Sequence, residues 1–198
     1  MNKIAIYGGT FNPVHNGHIV SLQYLLDDKR FSKVLMVPAG VPPFKNNISK
    51  TVAHRLHMCK LVTDQLTNLQ LEDHETKSDN PSYTYETLKF LSEQNPENKY
   101  FWTIGYDNLF HIETWYKGVE ILKNHGIIIV NRGGYDPSKA ISKQKELEKL
   151  YKTEFINITI PNIEISSTDI RNRVQENKSI VGYTLESIID YIDQKNLY

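Results

Sequence analysis

Short apolar runs alternate along the chain with longer segments in which apolar residues recur at helical spacing. The apolar runs predict strands at 3–7, 33–37, 99–104, 126–130 and 155–160, with a weaker strand at 69–72. The amphipathic segments predict helices at 17–28, 51–66, 84–94 and 138–151. This alternation is typical of βαβ units, so we expect a Rossmann-like, doubly wound α/β fold with a mainly parallel sheet and helices on both faces.

The composition limits the size of the molecule and the class of its partners. The 198 residues suit a single domain over 1–198, with a C-terminal helical part from about 166. Lys plus Arg and Asp plus Glu both number 23, so no overall charge would attract nucleic acid or a membrane. The twelve tyrosines would suit the core or a homo-oligomer interface equally.

The cysteine usage and the apolar runs bear on the compartment. The single cysteine, Cys59, excludes an internal disulfide, and its place in a helical segment predicts a packing residue. The sequence has no N-terminal targeting pattern and no apolar run of about 18 residues. We therefore expect a soluble, cytoplasmic protein. The balanced charge described above favours a small anionic ligand over a polynucleotide.

The first predicted strand runs directly into Gly-Gly-Thr-Phe-Asn-Pro-Val-His-Asn-Gly-His at 8–18. Gly8 and Gly9 would let backbone N–H groups approach an anion, and the helix that begins nearby points the positive end of its dipole at the same place. His15 and His18 lie at the mouth of this predicted phosphate site. The segment contains neither a Walker loop nor Gly-x-Gly-x-x-Gly, and a simple strand-to-helix turn is the alternative interpretation.

A second candidate phosphate element is Ile-Ser-Ser-Thr-Asp-Ile-Arg at 165–171, which opens a predicted helix. Ser167 and Arg171 are four residues apart, so they share a helix face and could hold one phosphate chain. The alternative is structural, since Ser166 and Asp169 have the spacing of a capping box.

Together, His-x-Gly-His at 15–18 and Ile-Ser-Ser-Thr-x-Ile-Arg at 165–171 resemble the signatures of bacterial nicotinate-nucleotide adenylyltransferases. The resemblance extends over nearly the whole chain, through segments at 8–15, 42–45, 54–55, 82–84, 105–107 and 115–116. Asn12 departs from the Asp more often found there, and Phe44 stands where His is frequent. The resemblance implies in-line attack of nicotinate mononucleotide on the α-phosphate of ATP, giving nicotinate adenine dinucleotide and pyrophosphate without a covalent enzyme intermediate.

The resemblance also implies a set of ATP-binding and catalytic residues. His18, His15 and Lys45 would be catalytic, with His18 stabilising the α-phosphoryl transition state. The residues expected to contact ATP are Gly8, Gly9, Thr10, Phe11, His15, His18, Ser166, Ser167, Thr168 and Arg171. We expect Mg²⁺ to arrive with ATP, and no metal site belonging to the protein, because His54 and His57 lack a third ligand.

Acceptor recognition is expected in the central part of the chain. The residues implied are Tyr83, Thr84, Asp107, Trp115 and Tyr116. Trp115 would stack on the pyridinium ring, while Thr84 and the Tyr116 backbone would bind the nicotinate carboxylate. Asp107 would accept from a ribose hydroxyl. The sequence leaves activity with the amide, nicotinamide mononucleotide, open.

We expect Arg55 to form a structural ion pair and not to contact a ligand.

Three alternative functions stay open from the sequence. Phosphopantetheine adenylyltransferase shares the histidine motif but has a different acceptor site, and a non-catalytic nucleotide sensor would bind without turnover. An unrelated α/β binding protein would use both motifs only as turns and caps.

Overall fold

The computed structural model describes residues 2–41, 52–131 and 137–198. Its strands are β1 Asn2–Gly9, β2 Lys33–Pro38, β3 Leu69–Leu71, β4 Asn98–Gly105, β5 Gly126–Asn131 and β6 Phe155–Thr159. Its α-helices are α1 Asn16–Asp27, α2 Val52–Thr63, α3 Thr84–Gln94, α4 Tyr106–Leu109, α5 Gly118–Asn124, α6 Pro137–Tyr151, α7 Ser167–Gln175 and α8 Glu186–Lys195. Short 3₁₀ helices lie at His74–Lys77 and Ile112–Thr114. Every predicted strand and helix is present, with ends that differ by a few residues.

The six strands form one sheet in the order β3-β2-β1-β4-β5-β6, and each neighbouring pair is parallel. In the centre, Ile6 of β1 pairs with Leu35 of β2 on one side and with Trp102 of β4 on the other. The Rossmann-like parallel sheet predicted from the alternating pattern is confirmed.

Helices cover both faces of the sheet. Successive strand residues point to opposite faces, so neighbouring residues of one strand belong to different core clusters. Ala5 and Tyr7 of β1 belong to a core cluster with α1, α2, α7 and α8, whereas Ile4 and Ile6 belong to a second cluster with α3, α4, α5 and α6. Burial on both faces explains why the central strands β1, β2, β4 and β5 read as continuous apolar runs. Cys59 is fully buried in the first cluster and burial raises the pKa of its thiol, so its predicted packing role is confirmed.

The strand order places a crevice at the carboxyl ends of β1 and β4. The chain winds outward from β1 to β2 and β3, then returns to place β4 on the opposite side of β1. Ligands of doubly wound sheets bind where the winding reverses in this way. β1 ends at Gly8 and Gly9, and β4 ends at Gly105, so the conspicuous sequence segments lie at this edge.

Among residues 2–41, 52–131 and 137–198, no helix is both long enough and apolar enough to cross a membrane.

Candidate active site

The first part of the site is the segment 8–18, which we call the histidine turn. A Cβ atom on Gly8 would lie 2.4 Å from the Trp102 ring, and one on Gly9 would lie 2.8 Å from the Phe11 ring. Phe11 is 1% exposed and has a φ of 51°, a left-handed conformation that costs a non-glycine residue on the order of 1 kcal/mol. The two glycines are therefore required for packing, whatever else their backbone binds.

The two histidines of the turn stack on each other at the start of α1. Their ring centroids are 3.6 Å apart, and the Phe11 ring meets His18 edge-on at 5.0 Å. The backbone N–H of His15 donates to Nδ1 of His18 over 3.2 Å. Because Nδ1 accepts this bond, the neutral imidazole of His18 carries its proton on Nε2. The turn thereby fixes both the orientation and the tautomer of His18.

The C-terminal element packs directly against the histidine turn. Ser167 Oγ donates to the Pro13 carbonyl over 2.8 Å, and Arg171 Nη1 donates to the Asn12 carbonyl over 2.7 Å. Arg171 Nη2 also donates to Thr168 Oγ1 over 3.1 Å. The structure thus brings together the two elements that the sequence singled out, and Ser167 and Arg171 contact the histidine turn from one face of α7. A guanidinium carries more N–H donors than these contacts use.

Two further contacts from the C-terminal segment hold the same turn, and the sequence did not indicate them. Thr184 Oγ1 donates to the Val14 carbonyl over 2.8 Å. The Tyr198 hydroxyl donates to Asn12 Oδ1 over 2.7 Å, and burial raises the pKa of this tyrosine. Asn12, the position that departs from the family pattern, accordingly accepts hydrogen bonds through its backbone and its side chain.

Ser166 caps α7. Its Oγ accepts from the Asp169 backbone N–H over 3.1 Å and donates to the Asp169 carboxylate over 2.6 Å, while that carboxylate accepts from the Ser166 backbone N–H. These hydrogen bonds lower the pKa of Asp169. The capping-box interpretation of this pair is confirmed, and both hydrogen-bonding functions of the Ser166 hydroxyl are used within the cap.

A pocket of about 370 Å³ gathers most of the residues predicted for the acceptor. It is lined by Ser82, Tyr83, Thr84, His111, Thr114, Trp115 and Tyr116. The Tyr83 and Tyr116 rings lie 4.6 Å apart between centroids, and Trp115 is partly buried beside them. Thr84 is the first residue of α3, so the positive end of that helix dipole points at the pocket.

Asp107 and His111 lie on the β4 side of the crevice. Asp107 is exposed near the start of α4, and its Oδ1 would lie 2.6 Å from a Cβ on Gly105. It therefore stands at the carboxyl end of β4 and is absent from the lining of the 370 Å³ pocket. The sequence reasoning missed His111 as a lining residue, although it stands only four positions before Trp115.

Arg55 has a different role from the predicted ion pair. It is 0% exposed, and its guanidinium donates to the carbonyls of Thr10 (2.9 Å), Ala39 (2.6 Å) and Gly40 (2.9 Å). Within the part of the chain that the structure describes, no carboxylate lies at ion-pair distance from it. The expected ion pair is wrong because α2 passes beneath the ends of β1 and β2, where the available acceptors are backbone carbonyls.

Two other predicted features can be placed only in part. Lys45 lies outside the described residues, so its catalytic role stays a prediction. His54 and His57 both contact Tyr191: Nδ1 of His54 lies 2.8 Å from the Tyr191 hydroxyl, and the His57 ring stacks on the Tyr191 ring with centroids 4.3 Å apart. Among the described residues, no group of three or more His, Cys, Asp or Glu side chains is placed to hold a metal ion.

Comparison with known proteins decides the family. A family model described as cytidylyltransferase-like matches residues 6–173. A probable nicotinate-nucleotide adenylyltransferase of Clostridium botulinum (strain Okra / Type B1) is 38% identical over 200 residues, covering 100% of this chain and 99% of the relative. This chain belongs to the nicotinate-nucleotide adenylyltransferases. A second family member, a probable nicotinate-nucleotide adenylyltransferase of Caldicellulosiruptor saccharolyticus (strain ATCC 43494 / DSM 8903 / Tp8T 6331), is 38% identical over 197 residues, 99% of this chain and 98% of the relative.

A solved structure of a nicotinate-nucleotide adenylyltransferase has the same fold. The Plasmodium falciparum nicotinic acid mononucleotide adenylyltransferase, complexed with NaAD, superposes with a TM-score of 0.83 at 24% identity, covering 100% of this chain and 98% of that chain. This match confirms the fold, and the 38% identity to the Clostridium botulinum relative confirms the family resemblance over the full length of the chain.

Proposed function

We propose that this protein transfers AMP from ATP to nicotinate mononucleotide, giving nicotinate adenine dinucleotide and pyrophosphate in NAD biosynthesis. One observation carries the proposal beyond family membership. The aromatic pocket containing Trp115 and Thr84 opens near the carboxyl edge of the sheet, the edge at which the histidine turn lies. The pyridine ring of the acceptor and the triphosphate of ATP can therefore occupy neighbouring parts of one crevice.

The proposed chemistry needs alignment and charge stabilisation instead of a general base. The phosphate of nicotinate mononucleotide is already an anionic nucleophile. One of its oxygens bonds to the α-phosphorus as the bond from that phosphorus to the bridging oxygen of pyrophosphate breaks, and the electron pair leaves with pyrophosphate. His18 donates its Nε2–H to an α-phosphate oxygen, where negative charge has to be stabilised in the transition state.

The ATP phosphates lie along the histidine turn in this proposal. The backbone of Gly8, Gly9, Thr10 and Phe11 approaches the α-phosphate, and His15 supports His18 through their stacked rings. Thr168 and Arg171 bind the β- and γ-phosphates with their side chains, and Ser167 binds them with its backbone N–H, because its hydroxyl donates to the Pro13 carbonyl. We assign the Ser166 hydroxyl to the helix cap, because Asp169 uses both its donor and its acceptor function.

Mg²⁺ belongs to the substrate in this proposal. The donor set of the site, with two imidazoles, a guanidinium and backbone N–H groups, suits phosphate oxygens and does not suit a hard cation. Bound to ATP, the metal neutralises phosphate charge and keeps water molecules in its coordination shell. The protein contributes by holding the phosphates that carry it.

The acceptor occupies the 370 Å³ pocket. Trp115 stacks on the pyridinium ring and contributes a cation–π stabilisation of roughly 0.5 to 2 kcal/mol. The nicotinate carboxylate accepts hydrogen bonds at the N-terminus of α3, from the region of Tyr83 and Thr84, and from the Tyr116 backbone. Asp107, at the end of β4, accepts from a ribose hydroxyl. A cytoplasmic location and a homo-oligomeric state stay predictions from the sequence.

The test is identification of the products. Purified protein is incubated with MgATP and nicotinate mononucleotide, and the mixture is analysed by mass spectrometry. We expect nicotinate adenine dinucleotide and pyrophosphate in equal amounts, without free AMP. ATP binding without any dinucleotide would overturn the proposal and favour the nucleotide sensor.

A further inference from the structure

A buried glutamate holds the start of the helix that borders the acceptor pocket. Glu75, in the 3₁₀ helix after β3, is 8% exposed, and its carboxylate accepts a hydrogen bond from the Thr87 hydroxyl in the second turn of α3. The Ser82 hydroxyl, two residues before α3, also interacts with this carboxyl group and lowers its pKa. One carboxylate thus contacts a residue before the first turn of α3, Ser82, and a residue just after that turn, Thr87.

The same serine connects the pocket to the end of β2. The Gly40 backbone N–H donates to Ser82 Oγ over 2.9 Å, and the Ser82 N–H donates to the Val41 carbonyl over 2.8 Å. Gly40 packs so closely on the 3₁₀ helix that an added Cβ would lie 1.9 Å from the Glu75 carbonyl oxygen. Residues 40–41, Glu75 and Ser82 therefore form one close-packed unit.

Arg55 extends this unit to the histidine turn. Its guanidinium donates to the carbonyl of Gly40 and to the carbonyl of Thr10, so it contacts both the unit and the nucleotide side of the crevice. The contacts run without interruption from Thr10 through Arg55, Gly40 and Ser82 to Glu75. They cross from the turn that holds ATP in the proposed function to the border of the acceptor pocket.

We propose that Glu75 and Arg55 are positioning residues that set the acceptor pocket at a fixed distance and angle from the histidine turn. This inference rests on the proposed function. Neither residue lines the 370 Å³ pocket; they act through Ser82 and through the carbonyls of Gly40 and Thr10. In-line transfer requires the acceptor phosphate and the α-phosphorus to meet in one geometry, so a rigid link between the two subsites contributes to alignment.

The energetics support a functional reason for the buried carboxylate. Burial raises the pKa of Glu75, while the hydrogen bonds from Thr87 and Ser82 and the positive charge of Arg55 oppose that rise. Because the folded pKa of Glu75 lies above its ordinary value, its contribution to the free energy of unfolding falls as the pH rises above that ordinary value. An apolar contact would pack α3 at lower cost, but it would not orient Ser82.

The main experiment compares Glu75→Gln with the wild-type protein in initial-rate kinetics, varying each substrate in turn. Loss of the carboxylate loosens the Ser82 turn, so we expect the KM for nicotinate mononucleotide to rise about ten-fold while the KM for ATP changes by less than about two-fold. Glu154→Gln is the matched control. Glu154 bonds to Lys3 and Lys99 at the opposite end of the sheet, and its replacement should leave both KM values unchanged.

Two further variants keep the test decisive. Thr87→Val removes one donor to Glu75 at nearly constant shape, and we expect a rise of about three-fold in the acceptor KM even where Glu75→Gln does not fold. Arg55→Lys keeps the charge but cannot hold three carbonyls, so both KM values should rise. Equal KM shifts in Glu75→Gln, or none in either Thr87→Val or Glu75→Gln, would overturn the inference. Absence of turnover in the wild-type protein would overturn the proposed function instead.

Discussion

His18 combines three structural features that suit a donor to a phosphate. It lies in the first turn of α1, its Nδ1 accepts from the His15 backbone, and Phe11 packs against the edge of its ring. The first places it at the positive end of a helix dipole, and the second leaves the proton on Nε2. A short sequence motif therefore encodes the position and the tautomer of the side chain together.

His18→Ala is expected to lower kcat by about 10²-fold or more, because the transition state loses a preorganised donor. Steady-state kinetics measure the effect, and circular dichroism checks that the variant folds. His57→Ala is the matched control, since His57 is exposed and stacks on Tyr191. Near-normal turnover of His18→Ala would remove this histidine from the mechanism.

Trp115→Ala tests the acceptor pocket. Removal of the indole face eliminates stacking on the pyridinium, so the KM for nicotinate mononucleotide should rise far more than the KM for ATP. Trp115→Phe keeps a smaller aromatic face, so its KM for nicotinate mononucleotide should lie between those of the wild-type protein and Trp115→Ala. Changes of equal size in both KM values would contradict the stacking role.

At the residue scale, residues in short motifs were predictable, whereas residues that contact the site from distant parts of the sequence were not. His15, His18 and Trp115 could be singled out because they stand in short, specific sequence patterns, and their roles stay predictions. Glu75 and Tyr198 carry no such pattern, since their roles depend on partners that only the folded chain brings close. Tyr198 and Asn12, for example, are 186 residues apart.

At the element scale, α7 performs two tasks with adjacent serines. Ser166 caps the helix through Asp169, whereas Ser167 donates to the Pro13 carbonyl in the histidine turn. The sequence predicted both a cap and a phosphate element in this segment and could not separate them. The hydrogen bonds assign the cap to Ser166, and the phosphate role of Ser167 stays a prediction.

The two serines should respond differently to replacement by alanine. Ser166→Ala removes an N-cap, so the free energy of unfolding should fall by about 1 kcal/mol with little change in the KM for ATP. Ser167→Ala removes the hydrogen bond to the Pro13 carbonyl and loosens the histidine turn, so the KM for ATP should rise severalfold. Denaturant unfolding and kinetics on both variants measure the contrast; a larger ATP effect from Ser166→Ala would return that residue to the phosphate site.

Long, periodic elements were predictable, and short ones were not. The central strands β1, β2, β4 and β5 are buried on both faces and read as apolar runs, whereas the edge strands β3 and β6 alternate buried and exposed residues, and β3 gave the weakest signal. The short helices α4 and α5 were missed because four and seven residues contain too little of the helical period. The end of α2 at Thr63 instead of 66 reflects the weak sequence signal at helix ends.

At the scale of the whole molecule, His125 predicts how stability depends on pH. This residue follows α5 and precedes β5, and burial lowers its pKa from 6.5 to about 4. The folded protein therefore favours the neutral imidazole. The associated stability is present above pH 6.5 and is lost as the pH falls toward 4.

His125→Gln should consequently reduce acid sensitivity. Glutamine cannot take up the proton, so the fall in Tm between neutral pH and the acid side of the histidine transition should be smaller than in the wild-type protein. Thermal unfolding across this range measures the difference. An identical acid-induced fall in the two proteins would contradict the role given to His125.

The fold of the whole molecule followed from the alternation of strands and helices, and its family followed from two motifs at opposite ends of the chain. Their contact could not be predicted from either motif alone. Arg171 and Ser167 reach the histidine turn because α7 packs beside α1 on one face of the sheet. Organisation as a single domain over 1–198 stays a prediction.

The acceptor preference tests the central claim most directly. Pyrophosphate release is measured with MgATP and, in separate reactions, nicotinate mononucleotide, nicotinamide mononucleotide and phosphopantetheine. We expect the highest kcat/KM with nicotinate mononucleotide, because in the proposed function its ring stacks on Trp115 and its carboxylate binds at the N-terminus of α3. A higher kcat/KM with phosphopantetheine would contradict the assignment of that pocket, and pyrophosphate release with none of the three would contradict catalysis by the histidine turn.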